Sequence, residues 1–327
     1  MMHASMLAAL ALALLIDRVV GDPPRLWARV PHPVVVFGKA IAFCDRNFNR
    51  SGTPDPIRRR NGIITIVALL CLSLFAGGIL EGLFSAFGRL GLVLEVLVVA
   101  VLLAQKSLAD HVGAVALGLR VDGLEGGRRA VSLIVGRDPA TLDAPAICRA
   151  AIESLAENFA DGVVAPAFWY AVLGLPGILA YKMLNTADSM IGHKNEKYRD
   201  FGWASARLDD LANWPAARLS AFAIAFATLF VRGVTAARRS LSVALRDAGL
   251  HRSPNSGWPE AAMAGALDIQ LTGPRIYGGE RVSEPMINGA GRAVAKAADI
   301  EDGVKVFYAA CHVLIGLTAL LALIATL

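Results

Sequence analysis

The chain is expected to be an all-α, polytopic integral membrane helical bundle with helical cytoplasmic loops and two segments that turn back within the membrane. Three observations predict this. Hydrophobic residues make up 55% of the 327 residues, charged residues only 18%, and the mean hydropathy is +0.53. A soluble domain of this length carries more charge. Several apolar runs approach or exceed the ~20 residues needed to span a bilayer. No alternating strand pattern persists, and no internal repeat divides the chain, so residues 1–327 read as a single membrane domain.

The elements follow in order. Met1–Ile16 is apolar and lacks an opening Lys or Arg and a small-x-small cleavage site, so it reads as a retained anchor rather than a cleaved signal. Ile63–Leu80 and Val306–Leu327 are long enough to span. Leu90–Ala104 is shorter and contains Glu95. Val163–Ala180 is interrupted by Pro166, Pro176 and two glycines, and Leu219–Val231 has only thirteen residues. These last two suit re-entrant or buried helices, which tolerate irregular backbone where it lines a protein-walled cavity. Between them, RAAIESLAENFADG is apolar at helical spacing after Pro145. His251–Pro259 and Gly273–Gly279 are rich in turn-forming residues and read as ordered turns.

Charge orients these elements. The net charge is +5; residues 17–61 hold nine Lys/Arg, 105–158 six, 181–218 six and 232–305 ten, whereas 81–91 holds only Arg89. The positive-inside rule therefore puts the basic segments in the cytoplasm and 81–91 outside. Residues 181–218 join that side if both doubtful segments turn back. Such basicity suits topology, anionic lipid and an anionic substrate. No basic stripe with interleaved aromatics indicates nucleic acid. Cysteines stand alone at 44, 71, 148 and 311, without metal or disulfide spacing.

Four polar constellations could carry chemistry. Asp17, Gly21-Asp22-Pro23 and His32-Pro33 follow the anchor, as a capped turn or a phosphate-facing loop. Glu153, Glu157 and Asp161 are spaced i, i+4, i+8 and would line one helical face. Like charges at that spacing repel unless a cation or a shared proton offsets them. The third, residues 181–215, is the most informative: Lys182, Asn185, Asp188, His193, Lys194, Arg207, Asp209, Asp210 and Asn213 crowd between two apolar segments. Asn185 with Asp188, and Asp209 with Asn213, share helix faces, and oxygen ligands so arranged suit Mg²⁺ and a phosphate. An interfacial loop with snorkelling bases is the simpler alternative. The fourth joins Ser253, Asn255 and Trp258 with Arg275 and Tyr277, where amides and Arg could hold phosphate and a flat ring could stack. Ordinary turn chemistry would also explain it. No P-loop, GxGxxG, GxSxG or HExxH motif is present.

The segments LLIDRVVGDPPRLWARVPHPVVVFG, AIESLAENFADGVVAPAFWY, YKMLNTADSMIGHKNEKYRDFG, ARLDDLANWPAARLSA and HRSPNSGWPEAAMAGALDIQLTGPRIYGG occur in that order. Together they closely resemble the CobD/CbiB family of cobalamin biosynthesis, the adenosylcobinamide-phosphate synthases, from about Leu15 to Gly279. The resemblance implies an inner-membrane ligase that uses ATP and Mg²⁺. It would join the corrinoid substrate adenosylcobyric acid to (R)-1-aminopropan-2-ol phosphate, or to free aminopropanol, in an active site facing the cytoplasm. A homo-oligomer is compatible with this. On that expectation Asn185, Asp188, Asp209, Asp210 and Asn213 serve the metal, and Glu153, Glu157, Asp161, His193 and Lys194 the catalysis. Lys182, Arg207, His32, Ser253, Asn255, Trp258, Arg275 and Tyr277 bind substrate or phosphate. Two alternatives from other classes remain: a Mg-dependent polyprenyl-type transferase, because DDLAN resembles half of a DDxxD motif, and an AmpE-like membrane sensor.

Overall fold

A computed structural model describes residues 2–135, 139–273, 275–277, 280–282 and 284–327; Met2, His3, Pro24 and the strands at 275–277 and 280–282 are described by their backbone alone. The described chain is helical apart from four very short strands. Five helical stretches are long and apolar enough to cross a membrane: Asp55–Ala86, Arg89–Val121, Ala144–Ile191, Trp203–Leu250 and Ala297–Ile324. Their outward sides carry Phe75, Leu83, Val93, Phe226, Phe230 and Leu320, all exposed. Apolar surface on this scale needs a lipid environment.

The chain divides into two units, the first built from residues 1–103, 165–213 and 318–327, the second from 104–164 and 214–317.

The first unit holds α1 (Met2–Val19), α2 (Pro24–Trp27), α3 (Pro33–Phe48), α4 (Asp55–Ala86) and α5 (Arg89–Val101). The His32 imidazole accepts a hydrogen bond from the Val34 amide, and Pro33 sits in the first turn, so α3 starts with its orphan amides partly satisfied. Gly88, at φ 56°, turns α4 into α5, and Gly91 rests on the Phe84 carbonyl. Later elements complete the unit: α9 (Ala165–Ile191), the opening turns of α10 (Trp203–Asp247) and the end of α12 (Ala297–Ile324). α4 packs along α9, and at Gly77 it approaches the backbone of Pro176 so closely that no Cβ fits.

α9 bears out the expectation that Val163–Ala180 turns back. At Gly174 the backbone leaves the helix (φ 66°, ψ −150°), with Pro176 just behind. Gly177 then lies against the carbonyl of Trp169, eight residues earlier. Trp169 and Tyr181 both reach adjacent residues of α10: the indole N–H donates to the Ala212 carbonyl at 3.1 Å, and the Tyr181 hydroxyl to the Asn213 side chain at 2.8 Å. Two halves of one straight helix could not do this, since twelve residues span about 18 Å.

The second unit holds α6 (Gln105–Val121), α7 (Gly123–Val131), α8 (Ala144–Phe159), most of α10, α11 (Gly257–Leu267) and most of α12. Asp143 caps α8 by accepting the Ala146 amide, and Pro145 occupies its first turn. α8 is almost wholly buried, and Phe159 meets Phe307 edge-on at 5.4 Å. The thirteen-residue run Leu219–Val231 is not a separate short helix. It is the middle of α10, because the flanking residues are also helical. It ends at Gly233, whose φ of 82° and ψ of 176° interrupt α10.

Strands absent from the sequence reading appear near the C-terminal third. β1 (Leu271–Thr272) pairs with β4 (Met286–Ile287), and β2 (Arg275–Tyr277) with β3 (Glu280–Val282), both antiparallel. The segment expected to be a plain turn thus forms part of a hairpin. Strands of two or three residues are too short for alternation to register.

Candidate functional site

Residues 181–213 form an antiparallel helical hairpin within the first unit, joining the second half of α9 to the start of α10. Its rungs run in order. Tyr181 bonds Asn213, the Asn185 side-chain amide reaches the Asp209 carboxylate at 3.5 Å, and Gly202 lies on the Ile191 carbonyl. Asn213 donates to the other Asp209 oxygen at 2.8 Å. Asp209 is 8% exposed and Asn213 2%, so this polar pair is held inside the protein. Asp188 lies one turn along α9 from Asn185, and its carboxylate rests against Gly192 with no room for a Cβ there. Its charge acts directly on Asp209. Two carboxylates approaching in a low-dielectric setting repel unless a cation or a shared proton offsets them.

The basic residues of this segment divide. Lys194 and Arg207 act electrostatically on Asp210, the neighbour of Asp209 in sequence. Lys182 lies on α9, and its carbonyl accepts from Thr186. His193 is exposed and makes no hydrogen bond or ion pair among the described residues. His32 is engaged elsewhere in the unit: it caps α3, stands 3.5 Å from Asp22, and has Trp27 edge-on at 4.5 Å. Among the described residues no hydrogen bond or ion pair joins it to the acidic hairpin.

The loop between the two helices is fastened. Lys197 bonds Asp45 at 2.8 Å, Arg58 bonds the Lys197 carbonyl, and the Arg59 guanidinium stacks 3.8 Å over Trp203. Burial acts to raise the Asp45 carboxyl. Hydrogen bonds from Lys197, Asn49 and Tyr198 outweigh that, and the group sits below the usual carboxylate range. Lys197 is raised in turn, chiefly by its bond to Asp45.

A second polar network occupies the second unit. Glu153, 4% exposed, accepts the Thr272 amide at 2.8 Å, and the Thr272 hydroxyl donates to Glu260 at 3.2 Å. Thr272 bridges these two buried carboxylates in a left-handed conformation, φ 64°. The His251 ring stands 3.7 Å from Glu260 and accepts the Ser253 amide on Nδ1. Glu157 accepts from Ser256 at 2.8 Å. Asp161 lies beyond the α-helical part of the expected line of three carboxylates. It falls in a π-turn, Ala160–Val164, that follows the end of α8.

The Ser253–Trp258 loop is organised inwardly. The amides of Asn255 and Ser256 bond the Ser253 hydroxyl, so they are already taken up within the turn. Arg218, which sequence patterning did not single out, donates to Asn255 at 3.0 Å and stacks over Trp214 at 4.5 Å and Trp258 at 4.9 Å. The side chains of Arg275 and Tyr277, with Pro274, Gly278 and Gly279, lie outside the described residues.

Among the described residues no group of three or more His, Cys, Asp or Glu is placed to hold a metal ion. The hairpin instead offers two carboxylates with an amide oxygen on Asn185. That suits a hard cation which keeps several waters and shares its shell with phosphate.

Residues 10–307 match the family model described as CobD/Cbib protein. A Sinorhizobium protein named Cobalamin biosynthesis protein CobD is 68% identical over 99% of this chain and 100% of its own. Proteins of the same name from Brucella suis biovar 1 and Rhodobacter capsulatus are 54% and 43% identical, each over at least 97% of both chains. No solved structure matches.

Proposed function

The chain belongs to the CobD/CbiB family, and from that premise we propose that it is an ATP-dependent amide ligase joining adenosylcobyric acid to (R)-1-aminopropan-2-ol phosphate or aminopropanol. The observation that carries the chemistry is the acidic hairpin, where Asp188 acts on the buried Asp209 and Lys194 and Arg207 act on the adjoining Asp210. A carboxylate is a poor electrophile because a charged oxygen cannot leave. Transfer of the terminal phosphoryl group of ATP to the corrinoid carboxylate gives an acyl phosphate and ADP. Attack by the amine on that carbonyl then forms the amide and releases phosphate.

Asp188 and Asp209 would hold Mg²⁺, with the Asn185 side chain beside Asp209. Asn213 and Tyr181 fix the Asp209 carboxylate from behind. Bound there, Mg²⁺ supplies charge neutralisation to the phosphoryl oxygens. Lys194 and Arg207 add positive charge for the same oxygens. Accepting the ammonium proton needs a carboxylate or His of adjusted basicity, and His193, exposed in the loop of the same hairpin, is suited to it.

The printed names of the relatives favour this ligase over a polyprenyl-type transferase or an AmpE-like sensor. We further propose that the protein lies in the cytoplasmic membrane with the 192–202 loop facing the cytoplasm, where ATP is found. The decisive experiment incubates purified membranes with adenosylcobyric acid, either amine and ATP. Adenosylcobinamide or its phosphate should form with one ADP per product. Asp188→Asn should abolish turnover while the protein accumulates normally, and near-normal activity in that variant overturns the assignment.

A further inference from the structure

Ser205 lies in the first turns of α10, is 1% exposed, and its hydroxyl has no hydrogen-bond partner among the described residues. A buried helical serine ordinarily bonds the carbonyl four residues back, as Ser220 does with Ala216 in the same helix. Buried hydroxyls without any partner are uncommon and call for an explanation.

Its position supplies one. Residues 205, 209 and 213 recur every fourth position and share one helical face. Asp209 and Asn213 use that face to reach Asn185 and Tyr181 on α9. The rungs Tyr181–Asn213, Asn185–Asp209 and Ile191–Gly202 run antiparallel, so Ser205 falls opposite the stretch from Asp188 to Ile191. The unpaired hydroxyl therefore stands on the face and at the level where Asp188 joins the acidic pair.

We propose that Ser205 is a ligand-side residue of this site, its hydroxyl contacting a hydrated divalent cation or the phosphate oxygen bound to it. The proposal rests on the reading of Asp188 and Asp209 as a cation site. A hydroxyl is suited to the role. It offers oxygen to a cation or a proton to a phosphate, and adds no charge to a pair of carboxylates already in opposition. It also distinguishes this site from one built on carboxylates alone.

The test uses Mn²⁺ as the probe, titrated into the full-length protein purified in detergent, with free Mn²⁺ read by electron paramagnetic resonance. The wild type should bind Mn²⁺, and Asp209→Asn should lose that binding. Ser205→Ala should weaken it about tenfold, the loss of one contact to a charged group. Thermal unfolding without Mn²⁺ should be unchanged or raised for Ser205→Ala, since an unsatisfied buried hydroxyl has been removed. Unchanged Mn²⁺ affinity in Ser205→Ala, with binding lost in Asp209→Asn, overturns the role of Ser205 alone. Unchanged affinity in Asp209→Asn, or no binding by the wild type, overturns the cation site and Ser205 with it. A fall in Ser205→Ala affinity matched by earlier unfolding assigns the hydroxyl to packing and also overturns the proposal.

Discussion

On the proposed reading of Asp209 as a cation ligand, Tyr181 acts on the site through another residue. Its hydroxyl holds Asn213, and Asn213 holds Asp209. Outer partners of this kind are typically worth 10–100-fold in metal affinity. Tyr181→Phe should thus raise the Mg²⁺ concentration for half-maximal activity about tenfold, while costing stability only about 1 kcal/mol. A Mg²⁺ titration of the amidation rate checks this. The Asp45–Lys197 contact makes a separate pH prediction. Asp45 is depressed, so its contribution to stability is present above the ordinary carboxylate pKa of about 4 and is lost as pH falls through the lower folded value. Lys197 is raised, so its share is complete below the ordinary lysine pKa of about 10.4 and fades as pH climbs through the higher folded value. Asp45→Asn should flatten the acid limb of a thermal-unfolding profile, with neutral pH showing the larger loss. Which residues gather was readable in part. Asn185, Asp188, Asp209 and Asn213 stood out because polar groups beside apolar runs are costly. Arg218 did not, because its partners Asn255 and Trp258 lie about forty residues away, beyond any local pattern.

Helices α4 and α9 depend on the absence of a side chain at Gly77. A Cβ there would stand 2.4 Å from the Pro176 Cα and 2.6 Å from its nitrogen, both backbone atoms that cannot swing aside. Gly77→Ala should destabilise the protein by about 1–3 kcal/mol, as overpacking does. Gly78→Ala, whose Cβ would meet nothing within 4 Å, should be nearly silent. Unfolding temperatures of the two variants in one detergent compare them directly. The helices were legible to different degrees. α8 could be read from its spacing and from Asp143 and Pro145 at its start. The reversal inside α9 was signalled by Pro176 and its neighbouring glycines, although not the residue at which it occurs. The extent of α10 was missed, because a window on apolar residues sees Leu219–Val231 and overlooks amphipathic turns on either side. The β-hairpins are set by pairing between segments that carry no local signature.

At the level of the whole molecule, the charge distribution yields a topological prediction. Ser205 is buried, so the accessible position for a probe is Glu196 in the hairpin loop. A Glu196→Cys protein, with the four native cysteines replaced, should resist a membrane-impermeant thiol reagent added to intact cells and react once the membrane is opened. Ready labelling from outside refutes a cytoplasmic loop. The general architecture was evident from composition, since 55% hydrophobic residues and 18% charge leave few alternatives. The division into two units was not, because it follows from which distant segments meet. That division has a consequence for biosynthesis. The chain passes between units at residues 103/104, 164/165, 213/214 and 317/318, and residues 318–327 return to the unit that residues 1–103 began. Neither unit is a single contiguous stretch of chain. During translation the second unit can assemble once residue 317 has left the ribosome. The first, which carries Asp188 and Asp209, stays incomplete until residues 318–327 have emerged as well. A nonsense codon near residue 318 should therefore strike the half of the protein in which translation started, leaving the more recently made half intact.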